Sequence, residues 1–138
     1  MNAREYLMQL QYLRLAIGTV EEQIETVRHT MTQLSAIRYD KEHVQQTPDD
    51  IMLNCIIRIE AVEEKYLKLL DQYNERYAIA LQRIEGLEND LHQKVLLLRY
   101  VNGMPLYKVA VRLGYSFDWI RHVHQDALRE FQDKYLKN

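Results

Sequence analysis

The sequence predicts an all-α protein made of a long helical hairpin followed by a block of short helices. Through the first 87 residues, apolar side chains recur at alternating steps of three and four residues, which is typical of long helices packed along a narrow seam. Four glycines and two prolines in 138 residues leave little room for a loop-rich fold. From about Asn89 the pattern changes to short apolar segments separated by "VNGMP" and "LGYS". We therefore expect a hairpin domain over residues 1–88 and a second domain over residues 89–138.

The first long helix is predicted from a continuous seam of apolar residues. Gly18 lies inside this pattern and weakens a helix by about 1 kcal/mol relative to Ala, a cost that the seam should outweigh. The seam positions are Tyr6, Leu10, Leu13, Ile17, Val20, Ile24, Val27, Met31 and Leu34.

The second long helix is predicted to begin near Pro48. Thr47 suits the N-cap, Pro48 suits the first helical position, and the acidic Asp49 and Asp50 suit the positive end of the helix dipole. Residues 35–46 lack a clean seam and are expected to form a loop, so the two helices would run antiparallel as a coiled-coil hairpin. The second seam comprises Met52, Cys55, Ile59, Val62, Tyr66, Leu69 and Tyr73, then Tyr77, Ala80, Ile84 and Leu87.

These seams allow two states of assembly. The hairpin either packs only on itself or also builds a homodimer or larger oligomer, and we favour the oligomer because Ile56, Leu67, Leu70 and Leu81 leave further apolar surface. The residues expected to carry oligomerisation are Leu10, Leu13, Ile17, Val20, Ile24, Val27, Ile59 and Val62.

The second domain carries the skeleton of a helix-turn-helix. Gly103 suits a left-handed C-cap, Pro105 the opening of the next helix, Gly114 a tight turn, and Ser116 the N-cap of the last helix. Helical spacing turns Leu98, Val101, Val109, Ala110, Leu113, Ile120, Val123 and Ala127 inward. It turns Phe117, Asp118, Arg121, His122, Gln125 and Arg129 outward, with Trp119 at the edge.

The segment "VLLLRYVNGMPLYKVAVRLGYSFDWIRHVHQDALREF" resembles region 4 of bacterial sigma factors. It resembles more closely the sigma-region-4-like regulators of phages and prophages of Gram-positive bacteria. In those proteins an "LRY" helix, a Gly-containing turn, a "VA…LGYS" helix and an "H…AL" recognition helix follow one another in this order. The resemblance is good from about Leu91 to Tyr135 and extends more loosely to the hairpin. It implies a small late-gene transcriptional regulator that binds specific duplex DNA and, in some members, activates late or packaging operons in the bacterial host cell.

The resemblance assigns the outward side chains to a DNA interface. Arg121, His122, Gln125 and Arg129 would face the major groove, with Gln125 pairing with adenine and Arg121 with guanine. Lys108 and Arg112 would lie near the phosphates, and Ser116, Phe117 and Trp119 complete the candidate site.

At three positions the residue differs from the one that is usual in the family. Pro105 stands where these proteins usually have a serine that caps the helix, and Phe117 and Trp119 stand where polar or basic residues are usual. The two aromatic side chains either pack against the chain's own helices or contact a thymine methyl group, a sugar or a partner protein.

The distribution of charge agrees with a DNA-binding second domain. Residues 1–88 carry ten Lys and Arg against fifteen Asp and Glu, a net charge of −5. Residues 89–138 carry eight against five, a net charge of +3. Since DNA-binding domains neutralise phosphates with basic side chains, the second domain is the better candidate to meet an anion.

Two other classes of function stay open. The first is a phage small terminase subunit, which also joins a helix-turn-helix to a helical oligomerisation region. The second is a coiled-coil adaptor that binds RNA polymerase or a sigma factor and does not contact DNA; RNA polymerase is also a further partner expected for the regulator.

Other classes find no support in the sequence. The sequence contains neither a Gly-rich phosphate loop nor a nucleophile paired with a recognisable base, so an enzyme is not expected. No cofactor is expected either. His122 and His124 are two residues apart on a helix, so they diverge and cannot chelate one metal ion. The single Cys55 and the short apolar stretch "VLLLRYV" favour a reducing cytoplasm and no membrane contact.

Overall fold

The computed structural model describes residues 1–37 and 48–137, and within these ranges every regular element is helical. The prediction of an all-α protein is confirmed at this level. Two of the five α-helices continue into a five-residue π-helical turn, Leu97–Val101 after α3 and Gln132–Leu136 after α5. The helices are α1 (Ala3–Ile37), α2 (Pro48–Glu85), α3 (Asp90–Leu96), α4 (Leu106–Leu113) and α5 (Phe117–Phe131).

Several helix ends lie where the sequence predicts them. Helix α2 begins at Pro48, as expected, while the predicted N-cap Thr47 and most of the predicted loop lie outside the described residues. Gly103 and Gly114 have φ angles of 72° and 77°, the left-handed region that glycine adopts without a steric penalty. Ser116 caps α5, because its side-chain oxygen accepts a hydrogen bond from the Trp119 backbone N–H.

The helices form two compact units. Unit 1 comprises Met1–Arg14 and the chain from Gln72 onward, and unit 2 comprises Leu15–Asp71. This division differs from a boundary at residue 88, because the start of α1 and the end of α2 share a core with the C-terminal helices. Neither long helix belongs to a single unit.

Unit 1 holds two adjoining clusters of buried apolar side chains. The first joins the start of α1 and the end of α2 to α3, its π-helical turn and α5. The second joins α3, α4 and α5 through Val95, Val109, Ala110, Ile120 and Val123. The members of the first cluster are Ala3, Leu7, Leu10, Ala80, Ile84, Leu87, Leu96, Tyr100, Val101, Ala127 and Phe131.

The inward positions predicted for the C-terminal helices agree with this core. Leu98 and Leu113 are half-buried and pack against the second cluster. The other six predicted positions, Val101, Val109, Ala110, Ile120, Val123 and Ala127, are buried.

The described part of unit 2 consists of α1 from Leu15 to its end and of α2 from its start to Asp71. Val27 and Leu34 of α1 cluster with Cys55 of α2, and Tyr66 of α2 donates a hydrogen bond to Glu21 of α1 at 3.2 Å. Four further predicted seam residues are also placed: Ile17, Val20 and Ile24 are buried, and Ile59 is half-buried.

The length and apolar character of the described helices decide whether any of them could span a membrane. None of those within residues 1–37 and 48–137 combines the length and the apolar character that crossing a bilayer requires.

Candidate nucleic-acid interface

The candidate interface begins with the turn between α4 and α5. The backbone N–H groups of Gly114 and Tyr115 both donate to the Ala110 carbonyl at 3.0 Å, which closes the end of α4. Ser116 then caps α5 two residues later, so Gly114–Ser116 form the tight turn between the two helices. Because Val109 and Ala110 of α4 pack against Ile120 and Val123 of α5, the turn and both helices are fixed by one apolar cluster.

Helix α5 presents one polar and basic face to solvent. Arg121, His122, Gln125 and Arg129 are all exposed. Two of the four are held near carboxylates of the same helix: Arg121 lies 3.6 Å from Asp118, and Arg129 lies 3.7 Å from Asp126. Exposed ion pairs of this kind contribute little, about 0–1 kcal/mol, so both guanidinium groups can exchange their partners at small cost.

The two aromatic residues of the first turn of α5 are also exposed in large part. Phe117 keeps 45% of its side chain in solvent and Trp119 keeps 51%. The Arg121 guanidinium lies 5.5 Å from the centre of the Phe117 ring, a cation–π contact that holds both side chains at the start of the helix. The open surface of both rings is available to a ligand.

Helix α4 contributes the remaining predicted contacts. Lys108 and Arg112 are exposed on it, and Ser116 is exposed in the turn. Tyr107, Val111 and Tyr115 are apolar or aromatic residues exposed in the same region, with Val111 at 81%. This part of unit 1 therefore carries both basic and apolar side chains outward.

A groove of about 550 Å³ adjoins the exposed face of α5, and sequence reasoning missed part of it. Arg4 and Arg99 line it together with Arg121, although Arg4 and Arg99 lie 95 residues apart in the chain, and no local pattern reveals this. The one feature of the sequence that could have pointed to this groove is Arg99, a charged residue inside an otherwise apolar segment. The groove is lined by Arg4, Arg99, Tyr100, Pro105, Leu106, Tyr107, Phe117, Arg121, His122, His124 and Gln125.

The floor of this groove is a hydrogen-bonded pair of rings. The Tyr100 hydroxyl lies 2.7 Å from Nε2 of His124, and the two rings stack with their centres 5.6 Å apart. Burial, with the positive charges of Arg99 and Arg4, lowers the pKa of His124 to about 4, while burial raises the pKa of Tyr100. At neutral pH the imidazole is therefore neutral and the phenol protonated, so that the phenol O–H can donate to Nε2. His124 therefore packs against Tyr100 as a neutral ring.

The predicted oligomerisation residues lie largely inside the chain. Within unit 1, Leu10 is buried and Leu13 is half-buried. Within unit 2, Ile59 and Val62 are half-buried. The remaining four, Ile17, Val20, Ile24 and Val27, are buried. Among the described residues of unit 2, the large apolar side chains left exposed are instead Leu15, Leu53, Ile56, Ile57 and Leu67.

The described residues were also compared with the requirements of a metal site. Nowhere in residues 1–37 and 48–137 do three His, Cys, Asp or Glu side chains gather in a way that could hold a metal ion.

Comparison of the chain with protein-family models, with curated proteins and with solved structures finds no match in any of the three. The resemblance to sigma-region-4-like regulators therefore stays a prediction from the sequence motif.

Proposed function

We propose that the protein is a phage-type transcriptional regulator that binds specific duplex DNA through a helix-turn-helix formed by α4 and α5. The observation that carries this proposal is the outward face of α5, where Arg121, His122, Gln125 and Arg129 are exposed together. The turn at Gly114–Ser116 joins this helix to α4, and Ile120 and Val123 pack it against Val109 and Ala110. An α-helix with such side chains fits the major groove, where arginine recognises guanine and glutamine recognises adenine.

The finer architecture belongs to the same proposal. We infer an antiparallel coiled-coil hairpin from α1 and α2, followed by a sigma-region-4-like domain. Contacts inside unit 2 support the antiparallel order, because Glu21 meets Tyr66 whereas Leu34, further along α1, clusters with the earlier Cys55. Unit 1 continues this order, since Arg14 donates to the Tyr73 hydroxyl at 2.8 Å. Assembly into dimers would supply two DNA-binding ends per particle.

The test is selection of bound fragments from random duplex DNA, followed by binding to the selected site and to unrelated DNA. An Arg121→Ala, Gln125→Ala double variant should lose about 1–3 kcal/mol of discrimination at particular base pairs and keep its non-specific affinity. Arg58→Ala with Gln72→Ala is the matched control, because both residues are exposed elsewhere on α2 and the same side chains are removed. A folded Arg121→Ala, Gln125→Ala protein with unchanged site preference would contradict the proposal.

A second candidate function, an adaptor that docks on RNA polymerase or a sigma factor, is favoured by one specific observation. Tyr107, Val111, Tyr115 and Trp119 expose apolar surface on the same part of unit 1, and exposed apolar side chains near one another often mark protein contacts. A Trp119→Ala variant should stay folded, although it loses the packing of the half of this residue that is out of solvent. Under the adaptor function it should lose polymerase or sigma-factor binding, while the wild-type protein shifts no DNA even at low salt.

A further inference from the structure

The lining of the groove beside α5 is more basic than the composition of the whole chain. The whole chain has 20 acidic and 18 basic residues. The groove, however, is lined by Arg4, Arg99 and Arg121 and by no Asp or Glu. A concave surface that gathers three guanidinium groups without a carboxylate has a positive potential, which attracts anions.

The charges of this groove are largely uncompensated. Among the carboxylates that the structure describes, none forms an ion pair with Arg4 or Arg99, and Arg121 has only the exposed Asp118 at 3.6 Å. The Arg99 guanidinium lies 5.3 Å from the centre of the Tyr100 ring, which fixes its side chain at the wall of the groove. Arg4 and Arg99 both contribute to lowering the pKa of His124, so both positive charges act on the same imidazole.

Apolar and aromatic residues also line this groove, beside the polar His122, His124 and Gln125. Pro105, Leu106, Tyr107 and Phe117 line it, and its volume of about 550 Å³ exceeds what a single inorganic anion fills. Guanidinium groups match the oxygens of a phosphate, and an aromatic wall accommodates a sugar or a base. A phosphate ester of a nucleoside complements both the guanidinium groups and the aromatic side chains of this lining.

We propose that this groove binds a phosphate ester, with Arg4 and Arg99 as its anion contacts and Tyr107 and Phe117 as the wall for its organic part. Two sources carry this chemistry, a phosphodiester of duplex DNA and the phosphate of a free nucleotide. Assignment to duplex DNA rests on the proposed function, and the groove then extends the contact surface from α5 to the first turn of α1.

The first arm of the test measures DNA affinity between 50 and 200 mM salt. An Arg4→Gln, Arg99→Gln double variant should lower the slope of log affinity against log salt by about one for each phosphate that a bound chain no longer neutralises. Arg28→Gln with Arg58→Gln removes the same charge from exposed positions of unit 2 and should leave the slope unchanged. Arg4→Gln alone, at an exposed position, should give about half the effect and does not depend on the fold tolerating a change at Arg99.

The second arm uses adenosine 5′-monophosphate, with adenosine as the uncharged match, and follows the guanidinium N–H signals of Arg4 and Arg99 by NMR. Signals that move with the monophosphate and not with adenosine, together with a weaker response of Arg99 in Arg4→Gln, support a phosphate site even if the wild-type protein binds no DNA. In that outcome the proposed regulator fails and the free nucleotide is the source. The groove proposal would be overturned if the wild-type protein binds DNA, the salt slope is unchanged in Arg4→Gln and in the Arg4→Gln, Arg99→Gln double variant, and the monophosphate gives no response. The proposed regulator would still stand in that case.

Discussion

The two units of the molecule share α1 and α2, but the number of helices packed around them and the burial of their side chains differ. In unit 1, segments from all five helices surround two clusters, and large side chains such as Tyr100, Phe131 and Ile84 are almost completely buried. Among the described residues of unit 2, only α1 and α2 are present, the cluster has three buried members, and Leu53, Ile57 and Leu67 remain exposed.

This difference follows from the geometry of helix packing. A helix that contacts one neighbour buries one narrow stripe, whereas a helix surrounded by several neighbours buries a broad face. Leu7 illustrates the second case, because it lies beside the seam residue Tyr6 and is nevertheless fully buried in unit 1. A regular heptad seam therefore locates a helix interface but does not reveal how many partners the helix has.

The largest expected contrast comes from placing a charge at one isoleucine of each unit, Ile120 at 0% exposure and Ile57 at 56%. Ile120→Asp puts an unpaired carboxylate at a fully buried position of unit 1 and should lower the free energy of unfolding by at least about 4 kcal/mol. Ile57→Asp, at an exposed position of unit 2, should change it by about 0.5 kcal/mol or less. Chemical denaturation followed by circular dichroism measures both, and equal losses would contradict the contrast.

Truncation of buried isoleucines should give a smaller contrast. Ile84→Ala removes a side chain that is fully buried in unit 1 and should cost about 3–5 kcal/mol. Ile24→Ala, at 9% exposure in unit 2, should cost about 2 kcal/mol, because fewer neighbouring side chains pack against it. The change in helix propensity is the same for both, so the difference between the two unfolding free energies isolates packing.

The ring pair of unit 1 should make the stability of the folded chain depend on pH. Above pH 6.5 the imidazole of His124 is neutral in the folded and the unfolded chain. As the pH falls from 6.5 towards 4, only the unfolded chain takes up this proton, because the folded pKa is about 4, and the stability falls. The loss should be at most about 2 kcal/mol after allowance for solvent screening.

His124→Gln is the variant that isolates this effect. It keeps an acceptor for the Tyr100 hydroxyl and removes the titrating group, so its thermal midpoint should fall less than that of the wild-type protein between pH 6.5 and 4. Parallel curves for the two proteins would show that His124 is not the source.

The smallest effect on folding is expected at the exposed apolar residues of α2. Leu53, Ile57 and Leu67 lie on one face of this helix, since their positions fall within about 80° at 100° per residue. Changing all three to Gln should alter the stability of the folded chain by about 0.5 kcal/mol or less per residue. It should weaken self-association about tenfold per side chain if this face meets a second copy.

Sedimentation equilibrium at tens of micromolar tests the association. Tyr107→Gln with Val111→Gln makes the same kind of change on unit 1 and should leave the association unchanged. A wild-type protein that is monomeric at these concentrations would contradict the oligomer.

Local signals in the sequence predicted local structure well. Pro48, Gly114 and Ser116 each act on the backbone within a few residues, and the helix ends they predict are where the structure has them. The inward spacing of Ile120 and Val123 likewise follows from a single helix.

What the sequence did not predict depends on long-range contacts. Phe131 and Tyr100 are among the largest buried side chains, yet neither lies on a predicted seam or among the predicted inward residues. Arg4 was missed as a neighbour of Arg99 because only the packing of unit 1 brings the first turn of α1 to α3 and α5. The outward face of α5 was predictable because helical periodicity alone orients it.

The packing of residues near the start of α1 against α5 has a consequence for synthesis of the chain. The backbone N–H of Ala3 donates to the side-chain carbonyl of Gln132 at 2.7 Å, and Leu7 shares a cluster with Phe131. At 5–20 residues per second a ribosome needs about 6–25 s to proceed from Leu7 to Phe131. During that interval the apolar side chains of α1 have no permanent cover from unit 1, and they are the part of the nascent chain that a chaperone would meet.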